Sequence, residues 1–500
     1  MKRALLFLSL LAACGGDPKP APATPPKPVA VVDAGPPEPP DPLGPRPDLG
    51  DPAPYTPSVP VEYKRANGLR VWLLERHDLP IVSIQTVVPA GAAHDPDGKG
   101  GLAVATANML DEGAGKRGPL DVSRDLDRLG ATLQTGAYAD YGYAQLTVLT
   151  KNLPDAAAIY ADVVARPRFD PVEWRRVRDL WVNQLKARQS DPGDVSSVVI
   201  ARKAYPANHP YAHPADGVLA SAAKVGLDDV KRFYAARWRP DLATCVVVGD
   251  VTRADLDALL DKVFAAWTAK GAPPTEAGDK ADFTGKDEKP PTARRVIVVD
   301  RPDAPQSVIA VTRRGISAFE EDAAGLVRVN GALGGSFTSR LNQDLREEHG
   351  WTYGAHSRFT FNRLRGLFVA SAAVQTEHTG DALQATLTDI EAMQKGGLTD
   401  EEVDRTKKLA RADLVQSYET VSAAAARLGR YAGVGQSADR DAVLSKLVAR
   451  ADKAKLGELA KGYLSLEGAV VVIVGPRAKI EPQLAKIGVT SLEASTPEGD

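Results

Sequence analysis

Gly101-Leu102-Ala103-Val104-Ala105-Thr106-Ala107-Asn108-Met109-Leu110 reads as a short, largely apolar helix opened by glycine. Its landmarks recur 224 positions later: Gly101-Leu102 and Met109 return as Gly325-Leu326 and Leu333. Ser83, Gly91 and Gly142 return at the same offset as Ser307, Gly315 and Gly366. Farther along, Val246-Val247-Val248-Gly249 returns as Val472-Ile473-Val474-Gly475, now 226 positions on. A nearly constant offset over that length implies duplication of one α+β unit.

Within the first unit, residues 61–64 and 69–74 have strand character, joined by an Asn67-Gly68 turn, and 81–88 forms a further strand. Helices are expected over 101–110 and over 121–129, the second ended by Gly130. Residues 131–150 alternate like paired strands, and 155–189 reads as two helices broken at Pro167. Strands followed by blocks of helices predict an α+β fold: two homologous sheet-plus-helices domains related by duplication. The boundaries place these domains at 59–269 and 292–485, with a Gly/Pro-rich charged linker at 270–291 and a tail at 486–500.

The 500 residues, 43% apolar and 25% charged, suffice for two sizeable cores. A net charge of -2 lacks the basic excess of a nucleic-acid binder. At the N-terminus, Lys2-Arg3, a short apolar run and Leu11-Ala12-Ala13-Cys14 have the form of a signal peptide over 1–13. The small-residue site directly before cysteine is similar to a bacterial lipoprotein signal, which implies lipidation of Cys14. An ordinary signal peptide with an incidental cysteine is the alternative.

Residues 14–58 read as a Pro-rich tether: 17 of the chain's 38 prolines fall between residues 17 and 60. In polyproline II form it would reach roughly 130 Å. A Pro-rich ligand for an adaptor domain is the other reading. The only other cysteine, Cys245, lies in an apolar run and is expected as a buried strand thiol.

Several fragments, in order, carry a family resemblance: Asn67-Gly68-Leu69-Arg70-Val71, Gly91 with Asp95-Pro96, the Gly101 helix, Leu129-Gly130-Ala131, His209-Pro210-Tyr211 and Val248-Gly249-Asp250. Together they resemble the pitrilysin/insulinase family of zinc peptidases. The resemblance implies two similar domains enclosing a chamber for extended peptides. It also implies an inverted zinc motif, His-x-x-Glu-His, on the Gly101 helix. Here those positions read Val104, Ala107 and Asn108. The family's further ligand, a Glu about 77 residues after the motif's Glu, falls on Gln184. Val and Ala ligate nothing and move no proton, and Gln replaces a zinc carboxylate poorly.

No other zinc motif rescues the chain. Glu348-His349 and Glu377-His378 have Leu345 and Val374 where a first His would stand, and no His is followed by Glu. His209 and His213 are four apart, but Pro210 and Pro214 favour a loop. Gly334-Gly335 and Gly113-Ala114-Gly115-Lys116 lack the Lys-Ser/Thr pair of a phosphate loop.

The stretch from Gly334 to Gly354, Gly-Gly-Ser-Phe-Thr-Ser-Arg-Leu-Asn-Gln-Asp-Leu-Arg-Glu-Glu-His-Gly-Trp-Thr-Tyr-Gly, resembles the family's second domain. Ser336 is expected to cap its helix, Phe337, Leu341 and Leu345 to form the apolar face, and Gly350 to end it. Arg346 and Tyr353 resemble the Arg and Tyr that the family points toward the zinc of the other domain. Arg supplies a planar fork for carbonyls or a carboxylate, and a Tyr hydroxyl can stabilise an oxyanion. Read without the resemblance, Arg346 is a solvated helix residue and Tyr353 a core aromatic.

Some relatives, like the mitochondrial processing peptidase, divide the work between a zinc-bearing chain and a homologue with a decayed site. The resemblance therefore implies a non-catalytic subunit with no cofactor of its own. It would lend substrate-binding Arg346 and Tyr353 to a zinc-bearing homologous partner that cuts extended peptides. The N-terminal reading places it in the bacterial cell envelope, lipid-anchored, facing the periplasm or at the outer membrane. The alternatives are a peptide-binding or scaffold component of an envelope complex, as in respiratory-complex core subunits, and a hydrolase using unrecognised residues.

Overall fold

The structure, a computed structural model, describes residues 53–274 and 292–500. The signal peptide, Cys14, most of the tether and most of the linker lie outside the described residues.

Six strands make the first half: β1 (Val61–Lys64), β2 (Arg70–Glu75), β3 (Ile81–Val88), β4 (Thr132–Ala137), β5 (Gly142–Leu149) and β6 (Thr244–Gly249). They form a sheet in the order β1-β2-β6-β3-β5-β4. The second half contributes β7 (Arg295–Asp300), β8 (Gln306–Arg314), β9 (Thr352–Phe359), β10 (Leu367–Gln375), β11 (Val470–Gly475) and β12 (Glu493–Ala494). Its order is β12-β7-β11-β8-β10-β9.

Five positions of the two sheets correspond one to one. In each, the late strand pairs parallel with the early one, β6 with β2 and β11 with β7, and antiparallel with the next. The expected duplication is thus written in the topology. Only the outer edge differs: β1 precedes its sheet in sequence, whereas β12 comes from 486–500, expected as a tail.

Strand alternation gives each sheet two apolar faces. Val71, Leu73, Ile84 and Val247 of the first sheet face the helices of their own half. Trp72, Leu74, Val246 and Val248 face the other way, onto Ala424, Ala425 and Leu428 of the helix Val421–Val434. The second sheet repeats this with Ile297, Val299, Val472 and Val474, which meet Val195, Val199 and Ile200 of the helix Pro192–Lys203. The halves therefore exchange helices, each covering the other's sheet. Along this seam lies a cavity of about 290 Å³, too small for the extended peptide that the resemblance places between the halves.

A polar bolt adds to the apolar contacts. Asp140 of the first half accepts from the Tyr211 hydroxyl and from the Arg363 backbone N–H at 2.9 Å, while Leu364 N–H donates to Tyr211 Oη at 3.0 Å. Tyr211 belongs to the His209-Pro210-Tyr211 fragment, whose job here is to join the halves. The start of the linker is likewise held: Arg239 donates to the carbonyls of Lys270, Gly271 and Ala272 at 2.8–3.0 Å.

Candidate functional site

The helix Leu102–Ala107 starts where Asp95 accepts from Gly101 N–H and Ala103 N–H, both at 2.7 Å. Those bonds satisfy amides that a helix N-terminus leaves open. Burial nevertheless pushes the Asp95 carboxyl up, to about 8, against the pull of the amides. Gly101 has φ +96, and a Cβ there would lie 2.5 Å from the Trp181 ring. Glycine is required at that junction on both counts.

Trp181 sits on the helix Pro171–Arg188 and donates from Nε1 to Asp216 O at 2.8 Å. The structure thus brings into contact the two helices that carry the zinc-motif positions, Leu102–Ala107 (the frame helix) and Pro171–Arg188. On them, Ala107 is fully buried, Val104 and Asn108 are half-buried, and Gln184 is exposed. This donor set of one amide on each helix, a methyl and an isopropyl group does not fit zinc. Among the described residues, no group of three or more His, Cys, Asp or Glu side chains is placed to hold a metal ion. His209 is buried against Tyr205 and takes the Tyr211 N–H on Nδ1 at 3.0 Å; His213 Nδ1 lies 3.0 Å from Pro214 O. Both stand in a loop. Cys245 is fully buried in β6, its thiol pushed up to about 12 by burial.

Sequence reasoning passed over Asp111 and Glu112, just beyond the frame helix. Glu112 and Glu173 both pair with Arg176, and burial lifts the Asp111 carboxyl to about 6. No periodicity marks such a cluster, because its partners come from two separated segments.

The second half presents side chains where the first buries them. A turn of π-helix over Gln343–Glu348, closed by His349 N–H to Asp344 O at 3.1 Å and ended by Gly350 at φ +65, carries Arg346. The Arg346 guanidinium lies 4.4 Å over the ring of Phe337, which is 63% exposed and does not join Leu341 and Leu345 in the core as expected. Ser336 differs as well. Its hydroxyl donates to Gly331 O at 2.8 Å, closing the preceding helix, and Ser339 takes the N-cap position.

Tyr353 is 92% exposed, so it is no core aromatic. It lies on the sheet's edge strand β9, where two residues, Tyr353 and Gly354, oppose the single Ala373 of β10 between the pairs Thr352↔Val374 and Ala355↔Ala372. Such a bulge re-aims side chains. Beneath the π-turn, Asp389 is lifted to about 6 by burial and by Asp344, and its Oδ2 has no hydrogen-bond partner among the described residues.

Two family profiles match the chain, and the boundary between them falls inside the first half. Residues 70–212 match the profile of insulinase, peptidase family M16, and residues 224–409 match the profile described as the peptidase M16 inactive domain. The chain is 22% identical over 371 residues to the uncharacterized zinc protease YmxG of Bacillus subtilis, covering 74% of this chain and 87% of that one. It is also 22% identical over 407 residues to the non-peptidase homolog YmxG of Helicobacter pylori, covering 81% and 91%. Among solved structures, the peptidase M16 inactive domain from Pseudomonas fluorescens superposes with TM-score 0.76 at 24% identity, over 83% of this chain and 98% of that one. A protease from Helicobacter pylori superposes with TM-score 0.77 at 19% identity, over 84% and 100%. These likenesses bear on the fold.

Proposed function

The chain is built from M16-family domains, an insulinase-like one followed by one of the inactive type, and on that premise we propose that it is the non-catalytic subunit of a heteromeric zinc peptidase. The zinc belongs to a homologous partner. This chain supplies Arg346 and Tyr353 to hold an extended peptide across the shared space. The observation that carries the reading is the exposure of Tyr353 at a bulge, on the same half as an Arg346 that stacks on exposed Phe337 and pairs with Glu347 at 3.4 Å. A side chain kept only for folding would gain nothing from standing 92% in solvent.

In this scheme the Arg346 fork takes peptide carbonyls or a carboxylate, and the Tyr353 hydroxyl donates toward the oxygen that gains charge as the carbonyl is attacked. The frame helix keeps its cap and its glycine junction, which preserves the shape of a chamber wall without the metal. The expected anchor at Cys14 and the tether over 14–58 support a reading in which the assembly works at the bacterial envelope.

The test is reconstitution with a zinc-bearing homologue of this family. Tyr353→Phe is expected to lower turnover about 100-fold or more, the size found for one oxyanion donor. Peptide cleavage by the lone chain, abolished by a chelator, would overturn the reading. A second reading, a scaffold component of an envelope complex, draws on the likeness in fold to a chain of complex III2 from Candida albicans, with TM-score 0.68 at 14% identity over 84% of this chain and 97% of that one. Unchanged turnover in both Arg346→Ala and Tyr353→Phe would favour it.

A further inference from the structure

Where the β1–β2 hairpin, the end of β3 and the last turn of the helix Val421–Val434 meet, a cavity of about 290 Å³ opens along the seam. Its floor is apolar: Val87, Val88 and Pro89 on one side, Leu242 and Ala432 on the other. Its rim carries three cations from three segments, Lys64 on β1, Arg70 on β2 and Arg363 in the β9–β10 connection.

The counter-charge is missing. Asp241, the carboxylate at the rim, is committed to Arg239, which donates from Nε to Oδ1 at 2.9 Å and from Nη2 to Oδ2 at 2.7 Å. Lys64 acts on Asp241, and Arg363 on Asp140, only through space. Arg363 bonds Asp140 through its backbone N–H, leaving the guanidinium beside Gly435, where a Cβ would come within 3.3 Å of Nη1. At the adjoining helix end, Ala432 O takes Gly435 N–H at 3.1 Å and Tyr431 O takes Gln436 N–H at 2.8 Å, so these two carbonyls are occupied. Lys64 and Arg70 are exposed and Arg363 is half-buried, so three like charges without an ion pair among the described residues ring the apolar floor and favour an anion there.

We propose that this seam cavity binds the carboxylate of a small, partly apolar ligand. The two guanidinium forks match a carboxylate bidentately, and Lys64 adds a point charge. The floor takes an aliphatic body that inorganic phosphate lacks, and the volume suits a ligand of about a dozen heavy atoms. Because the lining comes from both halves, the bound ligand ties them together.

Isothermal titration of the full chain with N-acetyl-leucine, the tripeptide Ala-Ala-Leu, their C-terminal amides and inorganic phosphate tests this. Both acids are expected to bind, with the amides at least about tenfold weaker. The Arg70→Gln/Arg363→Gln double variant should lose at least about tenfold in affinity for the acids, and Lys64→Gln a smaller factor. Tighter binding of the tripeptide would identify a peptide C-terminus as the natural source, and tighter binding of N-acetyl-leucine a free acid. The proposal is overturned by no binding of either acid at about 10 mM, by amides that bind as well as acids, by phosphate binding more tightly than both, or by unchanged affinity in the charge variants. Should the double variant fail to melt cooperatively, Lys64→Gln and the acid–amide comparison on the native chain decide alone.

Discussion

The two exchanged helices do the same job by different means. Val421–Val434 lies against the first sheet through an absence of side chain: a Cβ at Gly429 would fall 1.6 Å from Gln85 Oε1, and one at Gly433 2.3 Å from the Tyr141 ring. On its outer side, Arg427 grips buried Asp441, which also takes the hydroxyls of Tyr418 and Tyr431. Pro192–Lys203 meets the second sheet with Val195, Val199 and Ile200. It is then strapped by the C-terminal residues: Arg202 pairs with Asp500 at 2.7 Å, and Glu498 takes Gln189 Nε2 and Leu219 N–H, each at 3.0 Å. One contact rests on close approach and a buried charge, the other on branched side chains and a polar strap. Sheet-covering can thus be kept while its tolerance to change differs between the halves.

That difference predicts a ranking in equilibrium denaturation. Asp441→Ala strands Arg427 and two hydroxyls and should cost about 3–5 kcal/mol. Gly429→Val forces a side chain into filled space and should cost about 2–3 kcal/mol. Val199→Ala, which removes methyl groups without a clash, should cost about 2 kcal/mol or slightly less. Asp500→Asn weakens only the Arg202 pair of the strap and should stay under about 1 kcal/mol, shrinking further in salt. If Val199→Ala exceeds Gly429→Val, the close-approach account of the first seam is wrong.

A last test concerns the frame helix and has a sign in place of a fixed size. The Asp95 carboxyl titrates near 8 in the folded chain, above its ordinary 3.8, so the native state holds the proton more tightly than the unfolded state. The contribution of Asp95 to stability is therefore fullest below about pH 4 and declines as pH rises to about 8. Asp95→Asn should flatten that slope, and an unaltered pH profile would show that the amides at Gly101 and Ala103 dominate instead.

Much of this was readable from the chain. The run 81–88 matches β3 because a short stretch rich in Val, Ile and Thr between turn residues favours a strand. Likewise 131–150 became β4 and β5, and the break at Pro167 separates Leu153–Ala165 from Pro171–Arg188. The exchange of helices was not readable: the apolar face of Pro192–Lys203 shows in its sequence, but nothing there says which sheet it covers. The bulge at Tyr353 was hidden for a similar reason, since its register is set by β10 and not by β9. Phe337 misled because its spacing fits a core face, while the π-turn and the Arg346 guanidinium draw it outward.

The exchange also sets a clock on synthesis. The first half's strands are all made once β6 is complete, yet the helix that covers their second face is encoded beyond four of the six strands of the second half. At about 5–20 residues per second, Trp72, Leu74, Val246 and Val248 remain uncovered for on the order of ten seconds or more after β6 has left the ribosome. During that interval the nascent chain presents an apolar sheet face that its own helix does not yet cover.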